Sequence, residues 1–365
     1  MRTAVAQFEI EHLGFLDPAG DLLGELPADI GSLEQIKRGY RLMVLTRLFD
    51  TRAVNLQRTG QMGTFPSSLG QEAVTVGFSL AMQDDDRFLP SYREHGAQLC
   101  RGVTLLEQLL YWGGDERGSD FQGPRKDFPL SVPIATQCLH ATGIATAIKL
   151  RGEQQAVVVC CGDGATSKGD FYEAINVAGV WNLPVLFVVT NNHWAISVPR
   201  SAQSKAETLA QKAIAAGIDS LQVDGNDLLA MEYASRQALE RARAGGGPFL
   251  IEALTYRMGD HTTADDARRY RDDEEVSKYW QQDPIPRIKA YLVAHAGWSK
   301  DDEEALQNDC KQQLEQAVKD YLATEPQPPE AMFDYLYANL PEAYATQRQQ
   351  VIDKASTNPN GADHE

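Results

Sequence analysis

At 365 residues, with 43% hydrophobic and 23% charged residues, the chain can bury a large core, as one big α/β domain or one domain plus a small lobe. A formal charge of −17 argues against a nucleic-acid partner and against an anionic membrane surface, because both would repel it. No apolar run approaches the roughly 20 residues that span a bilayer, and the start MRTAVAQFEIEHLGF resembles neither a signal peptide nor a transit peptide, so a cytoplasmic protein is expected.

Residues 1–30 are mixed, with Asp17-Pro18 and Gly20 marking a turn, and read as an arm lying on another surface. Ser32 to Arg58 carries Leu33, Ile36, Tyr40, Met43, Val44 and Leu48 at helical spacing, and Ser32 with Gln35 forms a capping box, which predicts a long helix. Thr59 to Gly70 is a loop rich in Gly and Ser. Gln71 to Met82 reads as a helix with small residues on one face, suited, like His140 to Leu150, to tight contact with other subunits. Asp84-Asp85-Asp86 reads as a solvated turn, not a metal site. Arg87 to Tyr92 is a short strand, ended by Ser91-Tyr92-Arg93-Glu94-His95. Arg93 has the fork to bind a phosphate bidentately, and taken alone it serves equally well in a surface ion pair. Residues 113–137 are largely loop, ending in SVPIATQ, and His140 to Leu150 is a second small-residue helix.

Ala156 to Cys161 is an apolar, β-branched run short enough for a buried parallel strand. The five cysteines form no CxxC pair and no zinc spacing; Cys160 and Cys161 stand here as small hydrophobes, and no disulfide framework is expected. Gly162-Asp163-Gly164 then turns the chain. Asp170 to Trp181 places Phe171, Ala174, Ile175, Ala178 and Trp181 at helical spacing, and Pro184 to Thr190 is a second buried strand. This is a βαβ unit, expected to cross over right-handed. Its strands run the same way, so Asp163 and Asn192 emerge at the carboxyl edge, where open α/β sheets bind ligands. A carboxylate and an amide oxygen beside a glycine-rich turn suit Mg²⁺ shared with substrate phosphates. Gly164 lets the backbone approach such a phosphate, and the N–H groups at the following helix start attract it.

Beyond Ser197, Glu207 to Ala216 is helical, Ser220 to Val223 is a short strand, and Leu228 to Ala244 is an amphipathic helix. Pro248 to Tyr256 is another buried strand, and it delivers Arg257 and the polar loop Gly259 to Asp266, which contains His261. From Glu274 onward the sequence is mostly helical and charged, with Pro284 and Pro286 as a joint and Thr324 to Pro329 as a linker-like break; the last dozen residues are polar and expected to fray.

Gly162-Asp163-Gly164 followed about thirty residues later by Asn191-Asn192 resembles the thiamine-diphosphate motif. A Rossmann dinucleotide site fits poorly, because Ser167 stands where the third glycine would be and the second strand ends in Asn191, not an acid. In order along the chain, GQEAVTVG, SYREHG, SVPIATQ, GDGATSKGDFYEAIN, NNHWAIS, VDGND and YRMGDHTTADDARRYR resemble the alpha subunit of the 2-oxoacid dehydrogenase complexes. The likeness covers about residues 30–340 and is greatest to pyruvate dehydrogenase alpha subunits of the Gram-positive type.

That resemblance implies an α/β, thiamine-diphosphate-binding fold, a mostly parallel sheet flanked by helices with a helical C-terminal extension. It divides the chain into an arm (1–30), a domain for the phosphate side of the cofactor (31–273) and the extension (274–365). It implies Mg²⁺ on Asp163, Asn192 and the carbonyl of Trp194, a position where most relatives have Tyr. The Gly162–Ala165 turn would lie on the diphosphate, Gly164 and Ala165 offering N–H groups, with Tyr92 and Arg93 opposite. His261 would be catalytic, near the diphosphate and the reaction centre. Ser131 is implied at the cofactor and, with Pro133, Thr136 and Gln137, in a loop that can hold K⁺ in relatives, residues that a plain turn also explains.

The activity implied is oxidative decarboxylation of a 2-oxoacid, pyruvate first, with acyl transfer to the lipoyl group of an acyltransferase component. Branched-chain 2-oxoacid and acetoin dehydrogenases are the runners-up; Thr190, where some branched-chain relatives carry a phosphate-binding Arg, weighs slightly against the former. The glutamate that activates the cofactor lies in the beta subunit of two-chain members, so two alpha and two beta chains are implied and the isolated chain should be inactive. Thr262 and Thr263 match a loop that mitochondrial relatives phosphorylate. A silent scaffold subunit is disfavoured by the intact Asp163, Asn192 and His261, and a transketolase-type enzyme by the lack of room for a pyrimidine-binding domain.

Overall fold

The computed structural model describes residues 1–334 and 336–357. In chain order its elements are β1 (His12–Leu13), α1 (Leu33–Arg58), α2 (Glu72–Leu80), β2 (Arg87–Leu89), α3 (His95–Arg101), α4 (Leu105–Trp112), α5 (Thr136–Arg151), β3 (Val157–Gly162), α6 (Gly169–Val180) and β4 (Val185–Asn191). There follow β5 (Trp194–Ala195), β6 (Val198–Pro199), α7 (Arg200–Gln203), β7 (Asp219–Asp224), α8 (Leu228–Arg243), β8 (Phe249–Leu254), α9 (Asp273–Trp280), α10 (Pro284–Ala296), α11 (Lys300–Leu322) and α12 (Glu342–Thr357). Two compact units result, Met1–Lys319 and Asp320–Glu365.

In the first unit six strands form one sheet in the order β1-β7-β8-β4-β3-β2, every pairing parallel. The central strands read as unbroken apolar runs because both faces are covered. Val157, Val159 and Cys161 face one core layer with α5 and α6, while Val158 and Cys160 face the other with α2 and α8. Both cysteines are buried as small hydrophobes, and all five in the chain are free thiols. Ser32 and Gln35 close the expected capping box on α1. In the second unit α12 packs against a turn of 3-10 helix at Pro329–Phe333, and Arg348 pairs with Asp334 at 3.7 Å. The fraying expected of the final dozen residues falls mostly on positions outside those described.

Several expectations need correction. The N-terminal arm lies on the chain's own sheet, β1 adding to the edge of β7, and Asp227 Oδ2 accepts from Phe15 N (2.6 Å) and Leu16 N (2.7 Å) to anchor it. Every residue of α2 is buried inside the chain, where Gly77 lets α8 approach: a Cβ there would lie 2.5 Å from that of Met231. The small face of α2 therefore serves internal packing and no other subunit. Asp86 is fully buried, accepting from Ala156 N and Gln83 N and pairing with Arg243, so only Asp84 and Asp85 are solvated. The segment 200–216 holds short α7 and a 3-10 turn at Ala210–Ala216, not one helix from Glu207. Finally, α5 begins at Thr136, which moves Thr136 and Gln137 from the loop into its first turn.

Candidate active site

Four parallel strands end at one edge of the sheet, and each hands over a polar segment. β2 leads to Ser91, Tyr92 and Arg93; β3 ends in the Gly162–Ala165 turn; β4 delivers Asn191 and Asn192; β8 leads through Arg257 to His261. They enclose a cavity of about 240 Å³. Tyr92, Arg93, Asp163, Asn192, Trp194 and His261 line it, as do Ser131, Gln137 and the whole 162–165 turn. Pro133 and Thr136 do not: Pro133 is exposed and Thr136 half-buried.

The turn after β3 must be glycine at position 164, because a Cβ there would lie 2.6 Å from the Cβ of Ala195. Asp163 beside it is 4% exposed. Its carboxylate accepts from Gln203 Nε2 at 3.1 Å, and no cation lies within ion-pair distance among the described residues. Burial pushes its pKa up to about 6, against the opposing pull of the Gln203 hydrogen bond, nearby backbone N–H groups and Arg257. A divalent cation would reverse that balance.

Asn192 lines the same cavity just past the end of β4, the strand next to β3 in the sheet. Its Nδ2 donates to Gln71 Oε1 (3.0 Å) and its Oδ1 accepts from Trp194 N (3.3 Å). Asn191 is held by Glu252, a fully buried carboxylate on β8 that accepts from Asn191 Nδ2 (2.7 Å), Leu209 N and Ala210 N. The chain then passes through His193 and Ile196 at φ of 70° and 55°, conformations that strain non-glycine residues; Ala135, which also lines the cavity, adds a third at 67°. Around Trp194, the carbonyl accepts from Arg257 (3.4 Å) and the indole Nε1 donates to Glu275 Oε1 (3.2 Å), which also accepts from Tyr256 (2.8 Å). Trp194 is thereby held by α9, an element the sequence reading did not connect with the site.

Opposite this acid-and-amide wall stands a cationic one. Arg93 donates to Ser67 O (2.6 Å) and to His261 O (2.6 Å), and its guanidinium lies 2.9 Å from His261 Nδ1; that of Arg257 lies 3.2 Å from the same nitrogen. Guanidinium groups have no acceptor, so Nδ1 must be the acceptor of both and the neutral ring carries its proton on Nε2. Burial and these two cations lower the pKa of His261 to about 4, so it is neutral at physiological pH. The loop is braced further by His261 N donating to Asp265 (2.9 Å) and by Arg271 gripping the carbonyls of Arg257, Met258 and Gly259.

Gln71, Glu94 and Gln203 also line the cavity, and Arg257 reaches it through His261 Nδ1, though no local sequence signal assigns any of the four to the site. Glu94 lines the cavity 3% exposed, both its oxygens accepting from the Ser91 hydroxyl, and burial raises its pKa. No group of three or more His, Cys, Asp or Glu gathers as a metal cluster among the described residues. One buried carboxylate with amide and carbonyl oxygens fits the cation that completes its shell from phosphate and water, Mg²⁺.

Comparison with known proteins agrees with this architecture. Residues 40–330 match the family described as Dehydrogenase E1 component. The chain is 38% identical over 352 residues to the pyruvate dehydrogenase E1 component subunit alpha of Staphylococcus epidermidis, covering 96% of this chain and 95% of that one. The protein of the same name from Staphylococcus aureus matches at the same identity and coverage. The 3-methyl-2-oxobutanoate dehydrogenase subunit alpha of Mycobacterium tuberculosis is 42% identical over 319 residues, 87% of each chain. The chain thus belongs to the dehydrogenase E1 component family, thiamine-diphosphate-dependent oxidoreductases, on its alpha-subunit side.

Proposed function

We propose that this chain binds magnesium–thiamine diphosphate and, with a beta-subunit partner, oxidatively decarboxylates pyruvate and passes the acetyl group to a lipoyl group of an acyltransferase component. The observation that carries this reading is the contrast between the cavity's acid-and-amide wall, Asp163 and Asn192, and its cationic wall, Arg93 with His261, whose Nδ1 Arg257 also meets. One wall suits a dication, the other its anionic ligand. Bound thiamine diphosphate supplies the nucleophilic carbon and the electron sink for decarboxylation. Asp163, Asn192 and the Trp194 carbonyl hold the metal. Gly164 and Ala165 offer N–H groups, and Tyr92 and Arg93 close on the diphosphate. His261, neutral and with its proton on Nε2, donates to oxygen that gains negative charge during reaction. Gln137 Oε1, buried and unpaired, gives a K⁺ ion one ligand, with Ser131 near it.

A branched-chain 2-oxoacid is the second reading, favoured by the 42% identity to the Mycobacterium tuberculosis protein. Calorimetry on the chain assembled with its partner tests the cofactor assignment: saturable thiamine diphosphate binding that requires Mg²⁺ is expected. A folded assembly with no such binding would overturn it in favour of a silent scaffold. Comparing kcat/KM for pyruvate and 3-methyl-2-oxobutanoate then decides the substrate.

A further inference from the structure

Gln71 stands at the N-cap of α2, yet its side chain makes no capping bond there. Asn, Asp, Ser and Thr are the residues that cap well, so helix initiation is not the reason for this glutamine. The side chain, 1% exposed, crosses instead to a residue 121 positions away: Oε1 accepts from Asn192 Nδ2 at 3.0 Å. That bond fixes two amides at once. Asn192 must present Oδ1 elsewhere, where Trp194 N also finds it, and a metal ion takes an amide oxygen but never an amide NH₂. Gln71 must in turn direct Nε2 away from Asn192. That nitrogen is buried and has no hydrogen-bond partner among the described residues, and Gln71 lines the cavity. A buried donor left unpaired is costly, and native structures keep few of them.

We propose that Gln71 belongs to the cofactor site in two ways. Its Oε1 holds Asn192 with the amide oxygen toward the metal, and its Nε2 donates to an oxygen of the magnesium–diphosphate group. This rests on the reading of the cavity as a magnesium–thiamine diphosphate site. Gln71 is not a proton carrier, since an amide does not titrate in the working range of an enzyme.

Two variants separate the roles. Gln71→Met removes acceptor and donors at similar length; Gln71→Glu keeps the acceptor but puts an ionisable carboxyl where the donor was. Each full-length chain, assembled with its beta-subunit partner, is titrated calorimetrically with thiamine diphosphate at saturating Mg²⁺, and with Mg²⁺ at fixed thiamine diphosphate, between about pH 5.5 and 8. Thermal unfolding without ligands is followed in parallel. Gln71→Met is expected to weaken both titrations at least tenfold. Gln71→Glu is expected to bind thiamine diphosphate more weakly than the parent at pH 8, the ratio to the parent recovering as the pH falls and the carboxyl regains a donor. Parent-like affinities in Gln71→Met would overturn the proposal. A Gln71→Glu ratio at the parent's level at every pH would overturn the donor assignment, and this variant decides alone if Gln71→Met does not fold. Failure of the parent itself to bind would instead count against the cofactor reading.

Discussion

Replacing His261 with alanine should separate chemistry from folding. The imidazole has one job that the geometry singles out. Its Nδ1 is occupied by two guanidinium donors, which leaves Nε2–H as the group able to meet a developing anion. A preorganised donor of this kind is typically worth about 2.7–4 kcal/mol, or roughly 10²–10³ in rate. The structural loss is smaller. Arg93 keeps its bonds to Ser67 O and His261 O, and Arg257 keeps Ile196 O and the Tyr270 hydroxyl, so neither cation is orphaned when the ring goes. His261→Ala should therefore cut turnover of the assembled enzyme by two to three orders of magnitude, measured as 2-oxoacid decarboxylation at saturating thiamine diphosphate and Mg²⁺. The melting temperature should stay within a few degrees of the parent's.

The pH dependence gives a second check. A free imidazole titrates near 6.5, and burial with two neighbouring cations brings His261 to about 4. The folded state thus binds fewer protons between those values, so the stability tied to neutral His261 is present above about pH 6.5 and is lost as the pH falls toward 4. Activity should accordingly show no inflection from His261 between pH 6 and 7. An early-melting variant that keeps its turnover per folded molecule would make His261 structural. If thiamine diphosphate affinity collapses while turnover at saturation survives, its role is phosphate binding alone.

Asp163→Ala should lower thiamine diphosphate affinity at least tenfold, about 1.4 kcal/mol, in a Mg²⁺-dependent calorimetric titration; unchanged affinity in a folded protein would refute the metal assignment. Asp163→Asn should do the same while raising the ligand-free melting temperature at neutral pH. The folded carboxyl titrates near 6 and a free one near 3.9, so its contribution is fully present below the lower value and lost as pH rises through the higher; a variant no more stable at pH 7.5 than the parent would contradict this. The chain without its beta-subunit partner should not turn over any 2-oxoacid, and decarboxylation by the purified chain at rates like the assembled enzyme's would disprove that. Gly164→Ala should weaken cofactor binding, because its Cβ meets Ala195 at 2.6 Å and something in the turn after β3 must shift; calorimetric affinity equal to the parent's would show that the turn yields freely.

The central βαβ unit was legible because both of its strands are buried on two faces and its helix on one, so composition and period survive into the fold. That Asp163, Asn192 and Trp194 come together at one cavity was legible because they follow strand ends, where topology alone gathers them. What escaped was whatever depends on a distant partner. Asp86 sits in an acidic run that looks solvated, but its partner Arg243 is 157 residues away. Gln71 looks like the start of a packing helix until Asn192 is seen beside it. β1 is two residues long and owes its existence to the exposed edge of β7. Arg257 reads locally only as the residue after a strand, because nothing nearby in sequence marks an arginine as one of two around a histidine.

That arginine pair explains why the site is built as two walls. A single buried cluster mixing Asp163 with Arg93 and Arg257 would close into ion pairs and leave no affinity for a ligand. Here no ion pair joins them among the described residues, although Arg257 is near enough to draw the Asp163 pKa down: the cations are tied to carbonyls and to an imidazole nitrogen, while Asp163 is met by an amide and backbone N–H groups. Burial strains both walls, and on the cationic side a neighbouring arginine adds to it. Burial and the neighbouring Arg93 lower the pKa of Arg257 to about 10, as burial raises Asp163 to about 6. A dication bound to a polyanion relieves both strains together, and neither component does so alone. On the proposed function, Mg²⁺ and thiamine diphosphate should therefore bind cooperatively, each tightening the other by the same factor.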